Sequence, residues 1–171
     1  FVFVDLGSGV GKLVAQAYLE WPAVAEAVGI ELAPSRARRA RLAWEAVIST
    51  GQADALRSLA AGGEEGLAAA GLPPREAVRF VEGNLLAADI EEATHVYAAS
   101  LCFPDATLAA LGEKLLKEGE RLQAVAALSP LPSLTHDGAF ELQDSFGVEV
   151  DWTDSPRGAK AYLYRRARGP P

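Results

Sequence analysis

The chain has 171 residues, half of them hydrophobic, with 16 Lys and Arg against 23 Asp and Glu and a formal net charge of −7. That length suits one domain with a sizeable core, and no apolar run approaches the roughly 20 residues of a membrane-spanning helix. The acidic balance argues against holding nucleic acid by bulk charge alone, and the lone Cys102 excludes an internal disulfide and suits a reducing, intracellular compartment.

The chain contains no Met, and its first residue is already a core-type Phe. It is therefore expected to start at a cut end or a domain boundary. Phe1 to Val4 form an apolar run rich in β-branched and aromatic residues, which predicts a buried strand. The run ends in Asp5-Leu6-Gly7-Ser8-Gly9-Val10-Gly11-Lys12. Glycines at positions 7, 9 and 11 let the backbone take positive φ and lie against a ligand without a Cβ in the way. A helical pattern begins at Lys12 and ends at Pro22, so the stretch reads as a nucleotide-binding βα unit.

Three ligands compete for this loop. A phosphate-cradling Walker loop needs a Gly where Leu6 stands and a Ser or Thr where Leu13 stands. A dinucleotide loop needs its third Gly where Lys12 stands. The shorter spacing, with an acid two residues before the first Gly, is that of S-adenosylmethionine (SAM) enzymes. An acid at the strand end suits a ligand with an α-amino group and no pyrophosphate. About twenty residues on, Ala27 to Leu32 predict the second strand, and Glu31 stands where an acid grips a ribose. Its two oxygens can accept from both ribose hydroxyls. A tight turn and a solvated strand end are the blander alternatives.

A second helix is expected from Pro34 to about Thr50, burying Ala37, Ala40 and Trp44. Arg38 and Arg41 are expected to point away from that face, and the Arg36 to Arg41 run reads as solvated surface or as a basic binding patch. Residues 51–75, rich in Ala, Gly and Glu, read as a variable insertion, helical and then a loose loop. Val78 to Val81 form a third strand leading to Asn84 and Leu85, where such folds hold the adenine edge; an Asn turn is the other reading.

Thr94 to Ala99 give a fourth strand, with Ser100-Leu101-Cys102-Phe103 at its exit. This has the spacing of the polar-x-x-aromatic corner of enzymes that methylate amine nitrogens. Ser100 is the candidate to orient the nitrogen lone pair, and Phe103 the candidate to face the cationic product; a strand-end turn and core packing are the alternatives. A helix from Asp105 and a fifth strand, Arg121 to Leu128, follow. Phe140 to Leu142, Val148 to Trp152 and Ala161 to Tyr164 are strand-like with no helix between them. The expectation is a single α/β domain over residues 1–171, a Rossmann-like, mostly parallel sheet closed by a C-terminal antiparallel hairpin. His95 and His136 have no ligand-like neighbours, so no metal site is expected.

With the Asp5 to Lys12 loop, Glu31, the Ser100 to Phe103 corner and Asp151-Trp152-Thr153 in order, the chain resembles the disruptor-of-telomeric-silencing family of non-SET histone lysine methyltransferases. The resemblance covers most of Phe3 to Arg165. It implies a class I SAM-dependent methyltransferase, with Asp5 to Lys12 and Glu31 around the methionine and ribose and Asn84 with Leu85 at the adenine. Phe103 and Trp152 would then line the lysine channel. The implied partner is a protein substrate, histone H3 in nucleosomes, with nucleic acid met only through the nucleosome and a nuclear location; otherwise the location is cytoplasmic. Ala99 and Ser100 stand where the family has two Asn, Lys12 where it has Gln and Asn84 where it has Asp. The family's segment upstream of the loop is not in this chain, so an N-terminally truncated domain is expected. Methylation of another protein or of a nucleobase amine, and a degenerate domain that binds SAM without transfer, remain open.

Overall fold

Strands and helices alternate in the computed structural model, which describes residues 1–63, 75–136, 138–150 and 158–167. The chain divides into two compact units, Phe1–Ala88 and Asp89–Pro171.

In the first unit, β1 (Val2–Leu6), β2 (Glu26–Glu31) and β3 (Val78–Glu82) run parallel in the order β3-β2-β1. Phe3 to Leu6 and Ala27 to Glu31 are buried without interruption, as expected for parallel strands covered on both faces. Gly11, left-handed at φ 79°, precedes α1 (Lys12–Glu20), and Trp21-Pro22 closes it. Val14, Ala17 and Tyr18 are the buried side of α1. Pro34 opens α2 (Pro34–Ser49), where its missing N–H has no helical partner to lose. Ala37, Ala40 and Trp44 are buried as the spacing predicts, and the Tyr18 and Trp44 rings meet edge-on at 5.5 Å.

The first part of the 51–75 segment is α3 (Gln52–Ala60), started by left-handed Gly51 and packed on α1 and α2. Its Arg57 is only 2% exposed. The guanidinium lies over the Tyr18 ring, 4.0 Å from its centroid, and donates to the carbonyls of Tyr18, Pro22 and Val24. Neither hydropathy nor spacing marks this residue as internal; three carbonyl acceptors and a ring face take the place of water.

In the second unit, β4 (His95–Ala98) and β5 (Ala124–Ala127) are parallel, and β7 (Ala159–Arg166) pairs antiparallel with both β5 and β6 (Phe140–Val148), giving the order β4-β5-β7-β6. Helix α4 (Asp105–Glu118) follows Pro104 and buries Leu111 and Leu115. A Cβ at Gly112 would lie 1.8 Å from Ser133 Oγ, so glycine is what lets the short α5 (Ser133–His136) seat against α4.

The chain is thus α/β and Rossmann-like, its core strands parallel and its C-terminal hairpin antiparallel, as the alternation implies. Two boundaries differ from the sequence reading. Phe140 to Leu142 and the start of Val148 to Trp152 are not separate strands: β6 runs unbroken to Val148, absorbing an extra residue at a register shift between Leu142 and Asp144. The fifth strand is shorter than expected, because Leu122 N–H turns back to Gly119 O and Leu122 O is taken by the Arg166 guanidinium. Asp151, Trp152 and Thr153 lie outside the described residues, as do residues 64–74 of the insertion.

Candidate functional site

The loop after β1 is tied to the exit of β2 through its own backbone. Gly7 and Ser8 N–H both donate to Ile30 O at 2.8 and 3.0 Å, Gly9 N–H donates to Glu31 Oε2 at 2.8 Å, and Gly11 N–H donates to Ser8 O at 2.9 Å. All three loop glycines are left-handed, but two of them serve different ends. A Cβ at Gly11 would sit 2.3 Å from the Phe80 ring of β3, so this glycine closes the helix onto the strands. A Cβ at Gly9 would meet nothing within 4 Å. That side of the loop is open backbone.

Asp5, at the carboxyl end of β1, is 3% exposed, and its Oδ1 has no hydrogen-bond partner; nor has the buried Ser8 Oγ. Burial first, and then the neighbouring Glu31 charge, push the Asp5 carboxyl up to about 7. A buried acceptor without a donor is a costly arrangement, and such groups concentrate where ligands bind.

Glu31 is 4% exposed and fully engaged on one side. Its Oε1 accepts from Ala33 N–H at 2.8 Å and from Arg36 Nε and a terminal nitrogen at 2.9 and 2.7 Å, while Oε2 accepts from Gly9. Burial alone would raise this carboxyl, but the bonds from Ala33, Arg36 and Gly9 outweigh it and hold Glu31 below its ordinary value. The sequence reading gave both oxygens to ribose hydroxyls. Three donors on Oε1 leave a free lone pair only on Oε2. Arg36 is the residue the sequence reading missed here; an Arg five positions after the acid, inside the first turn of a helix opened by Pro34, is the signal that points to it.

Of the other loop residues, Leu6 is buried, Val10 is 40% exposed and Lys12 is exposed. Leu32, the residue after Glu31, is 70% exposed, an apolar surface that strand periodicity alone does not single out. Gly83 N–H donates to Glu31 O, which brings the β3 exit beside that of β2. Asn84 there is exposed, and its Oδ1 accepts from Leu86 N–H at 3.0 Å in an Asx turn. Leu85 is half-buried.

In the second unit, Ser100 begins a short 3₁₀ turn after β4 and is completely buried. Its Oγ accepts from Ser129 N–H at 2.8 Å and its carbonyl accepts from Ser129 Oγ at 3.0 Å. The side chain joins the β4 exit to the β5 exit and is not presented to solvent. Phe103 is half-buried and Cys102 exposed. Trp152 lies outside the described residues. Among the described residues no cluster of His, Cys, Asp and Glu could hold a metal ion, and no helix is long and apolar enough to cross a membrane.

Residues 1–50 match the family described as "Histone methylation protein DOT1". No curated protein matches the chain. Among solved structures the chain is similar to an RNA methyltransferase from Salinibacter ruber in complex with S-adenosyl-L-homocysteine (22% identity, TM-score 0.59, 99% of this chain and 83% of that one). It is also similar to a putative tRNA methyltransferase from Streptococcus pneumoniae in complex with S-adenosyl-L-methionine (14% identity, TM-score 0.64, 99% of this chain and 67% of that one). A third is a tRNA methyltransferase from B. subtilis (15% identity, TM-score 0.57), of whose length this chain spans 60%. At these identities the likeness is one of fold.

Proposed function

We propose that the chain is a SAM-dependent methyltransferase domain that acts on an amine nitrogen. The observation that carries this reading is Asp5, a buried carboxylate whose Oδ1 has no donor, at the β1 exit ahead of the open backbone of Gly9. A dinucleotide would bring a pyrophosphate to this loop. Yet the N–H groups of Gly7, Ser8, Gly9 and Gly11 are already given to protein acceptors, and two carboxylates border the loop. An amine and a sulfonium complement that charge, and a pyrophosphate opposes it.

The residues present fit the cofactor. Asp5 Oδ1 is the acceptor for its amino group, Glu31 Oε2 for a ribose hydroxyl, and Leu32 with Leu85 offer apolar surface to the adenine. Asn84 Oδ1 keeps a second lone pair for the adenine amine while it holds its own turn. The cofactor supplies an electrophilic methyl on sulfur. The protein has only to hold a neutral amine in line with it and keep water away. Within the second unit Ser100 is the candidate positioning residue, since its two bonds to Ser129 fix the β4 exit, and Phe103 is the candidate aromatic face for a methylated cation.

Two substrate classes have support. The match over residues 1–50 favours a protein lysine, in histone H3 and the nucleus, but it ends at Thr50, well before the Ser100 to Phe103 corner. The similarity over nearly the whole chain to RNA and tRNA methyltransferases favours the nucleobase alternative.

The test is transfer of labelled methyl from SAM to cell extract, followed by RNase or protease, with S-adenosylhomocysteine affinity measured in parallel. Label is expected in one polymer class and lost in Glu31→Ala. Wild-type affinity for S-adenosylhomocysteine in both Asp5→Asn and Glu31→Ala would overturn the reading.

A further inference from the structure

The chain carries −7 overall, yet α2 has four Arg and a single acid, Glu45. Two of the four are occupied. Arg36 is paired with Glu31, and Arg41, expected to point outward, instead flanks the buried side, donating to Phe80 O at 3.2 Å and standing 4.0 Å from Glu82. Arg38 and Arg39 are exposed on the opposite side, and among the described residues neither has an ion-pair partner. One turn further, between them on the helix surface, Leu42 is 53% exposed.

The surplus of cations is local to this helix, which has no acid in its first turn and only Glu45 beyond it. Among the described residues no carboxylate pairs with Arg38 or Arg39. A regularly spaced polyanion would relieve them.

We infer that the Arg38, Arg39 and Leu42 face of α2 docks an RNA strand, the two guanidinium groups on successive phosphates and Leu42 against a base or sugar. The inference rests on the methyltransferase reading and decides its substrate class. Guanidinium forks match phosphate oxygens in pairs. An acidic peptide also offers carboxylates, but without the fixed spacing of a sugar–phosphate backbone, and a poly-glutamate competitor distinguishes the two. The docking face begins close to the cofactor-binding carboxylate, since Arg36, on the first turn of the same helix, is bonded to Glu31.

The experiment is fluorescence anisotropy of a labelled 20-nucleotide single-stranded RNA against the chain, from 50 to 200 mM salt, with poly-glutamate as competitor. Arg38→Gln/Arg39→Gln removes two charges; Lys117→Glu, on exposed α4 surface, changes net charge by the same amount. Each phosphate contact adds about 0.7 to the salt slope of single-strand binding. The double variant is expected to lose about 1.4 from that slope and about tenfold in affinity at 50 mM salt. Lys117→Glu is expected to stay within about twofold of wild type, because it changes net charge without touching the α2 face and bulk charge is screened at these salt concentrations.

S-adenosylhomocysteine affinity should be unchanged in the double variant, which separates loss of docking from misfolding. Equal slopes for wild type and the double variant, equal losses in both variants, no RNA binding by wild type at 50 mM salt, or displacement of RNA by poly-glutamate at matched charge would each overturn the inference; the last would assign the face to an acidic protein. A wild type that binds RNA through this face but not S-adenosylhomocysteine would uphold the docking and sink the cofactor reading.

Discussion

Asp5→Asn separates what the site does for folding from what it does for binding. The wild-type carboxyl has an ordinary value of 3.8 and stands at about 7 in the folded protein. The folded state therefore holds this proton more tightly than the unfolded chain does. The associated stability is complete below pH 3.8, declines as pH rises and is gone above about 7. At 1.36 kcal/mol per unit, the whole displacement amounts to about 4 kcal/mol. About 2 kcal/mol of it falls between pH 5 and 7.

Urea unfolding of wild type and Asp5→Asn at pH 5, 6, 7 and 8 measures this directly. The other titrating groups are common to both proteins, so the difference between the two curves isolates Asp5. Asp5→Asn should gain on wild type by about 2 kcal/mol between pH 5 and 7. Its affinity for S-adenosylhomocysteine should fall at least about tenfold, as expected when a charge-assisted hydrogen bond is lost. In wild type that affinity should itself weaken, approaching tenfold per unit, as pH falls below about 7, because a cationic amine needs the ionised carboxylate. Parallel unfolding curves for the two proteins would refute the argument: Asp5 would then be ordinary, and its burial without a donor would need another cause.

Other outcomes follow from the same geometry. Glu31→Gln removes the second cause of the Asp5 shift, so the midpoint of the pH-dependent affinity should move down from about 7; an unmoved midpoint would mean that burial alone sets it. Gly11→Ala places a Cβ against the Phe80 ring at positive φ and should cost about 2–4 kcal/mol in urea unfolding. Gly9→Ala meets no neighbour and should cost only about 1 kcal/mol of backbone strain, yet it should abolish measurable S-adenosylhomocysteine binding by calorimetry. Arg57→Met should lower stability by about 2–4 kcal/mol, because three carbonyls lose their donors inside the unit.

Local text predicted local structure well. The apolar run before Asp5, the spacing of Gly7, Gly9 and Gly11 and the proline opening α2 each act within a few residues, and the structure realises all of them. The parts of the site that were not legible depend on distant partners. Ser100 reads as a polar residue at a strand exit; nothing within ten residues says that Ser129 will take both its oxygens into the interior. Glu31 reads as a free acid unless the Arg five positions on is weighed together with Pro34, because the pairing depends on the bend at Ala33-Pro34 that opens α2. Two strand-like segments after Phe140 read as separate because the register shift breaks the alternation that defines a strand in sequence. Asn84, by contrast, forms the Asx turn that its residue type favours.

Arg57 also ties together parts of the first unit that are remote in sequence. The carbonyls it holds belong to the last turn of α1 and to the link into β2, 33 to 39 residues away, so the end of one helix is completed by a side chain from another. Fraying of α3 would withdraw that completion, and melting of α1 would take the Tyr18 carbonyl and ring from the guanidinium. Amide protons in the two helices should therefore exchange with deuterium in one cooperative opening, at a common free energy, where lone nine-residue helices would exchange independently and fast.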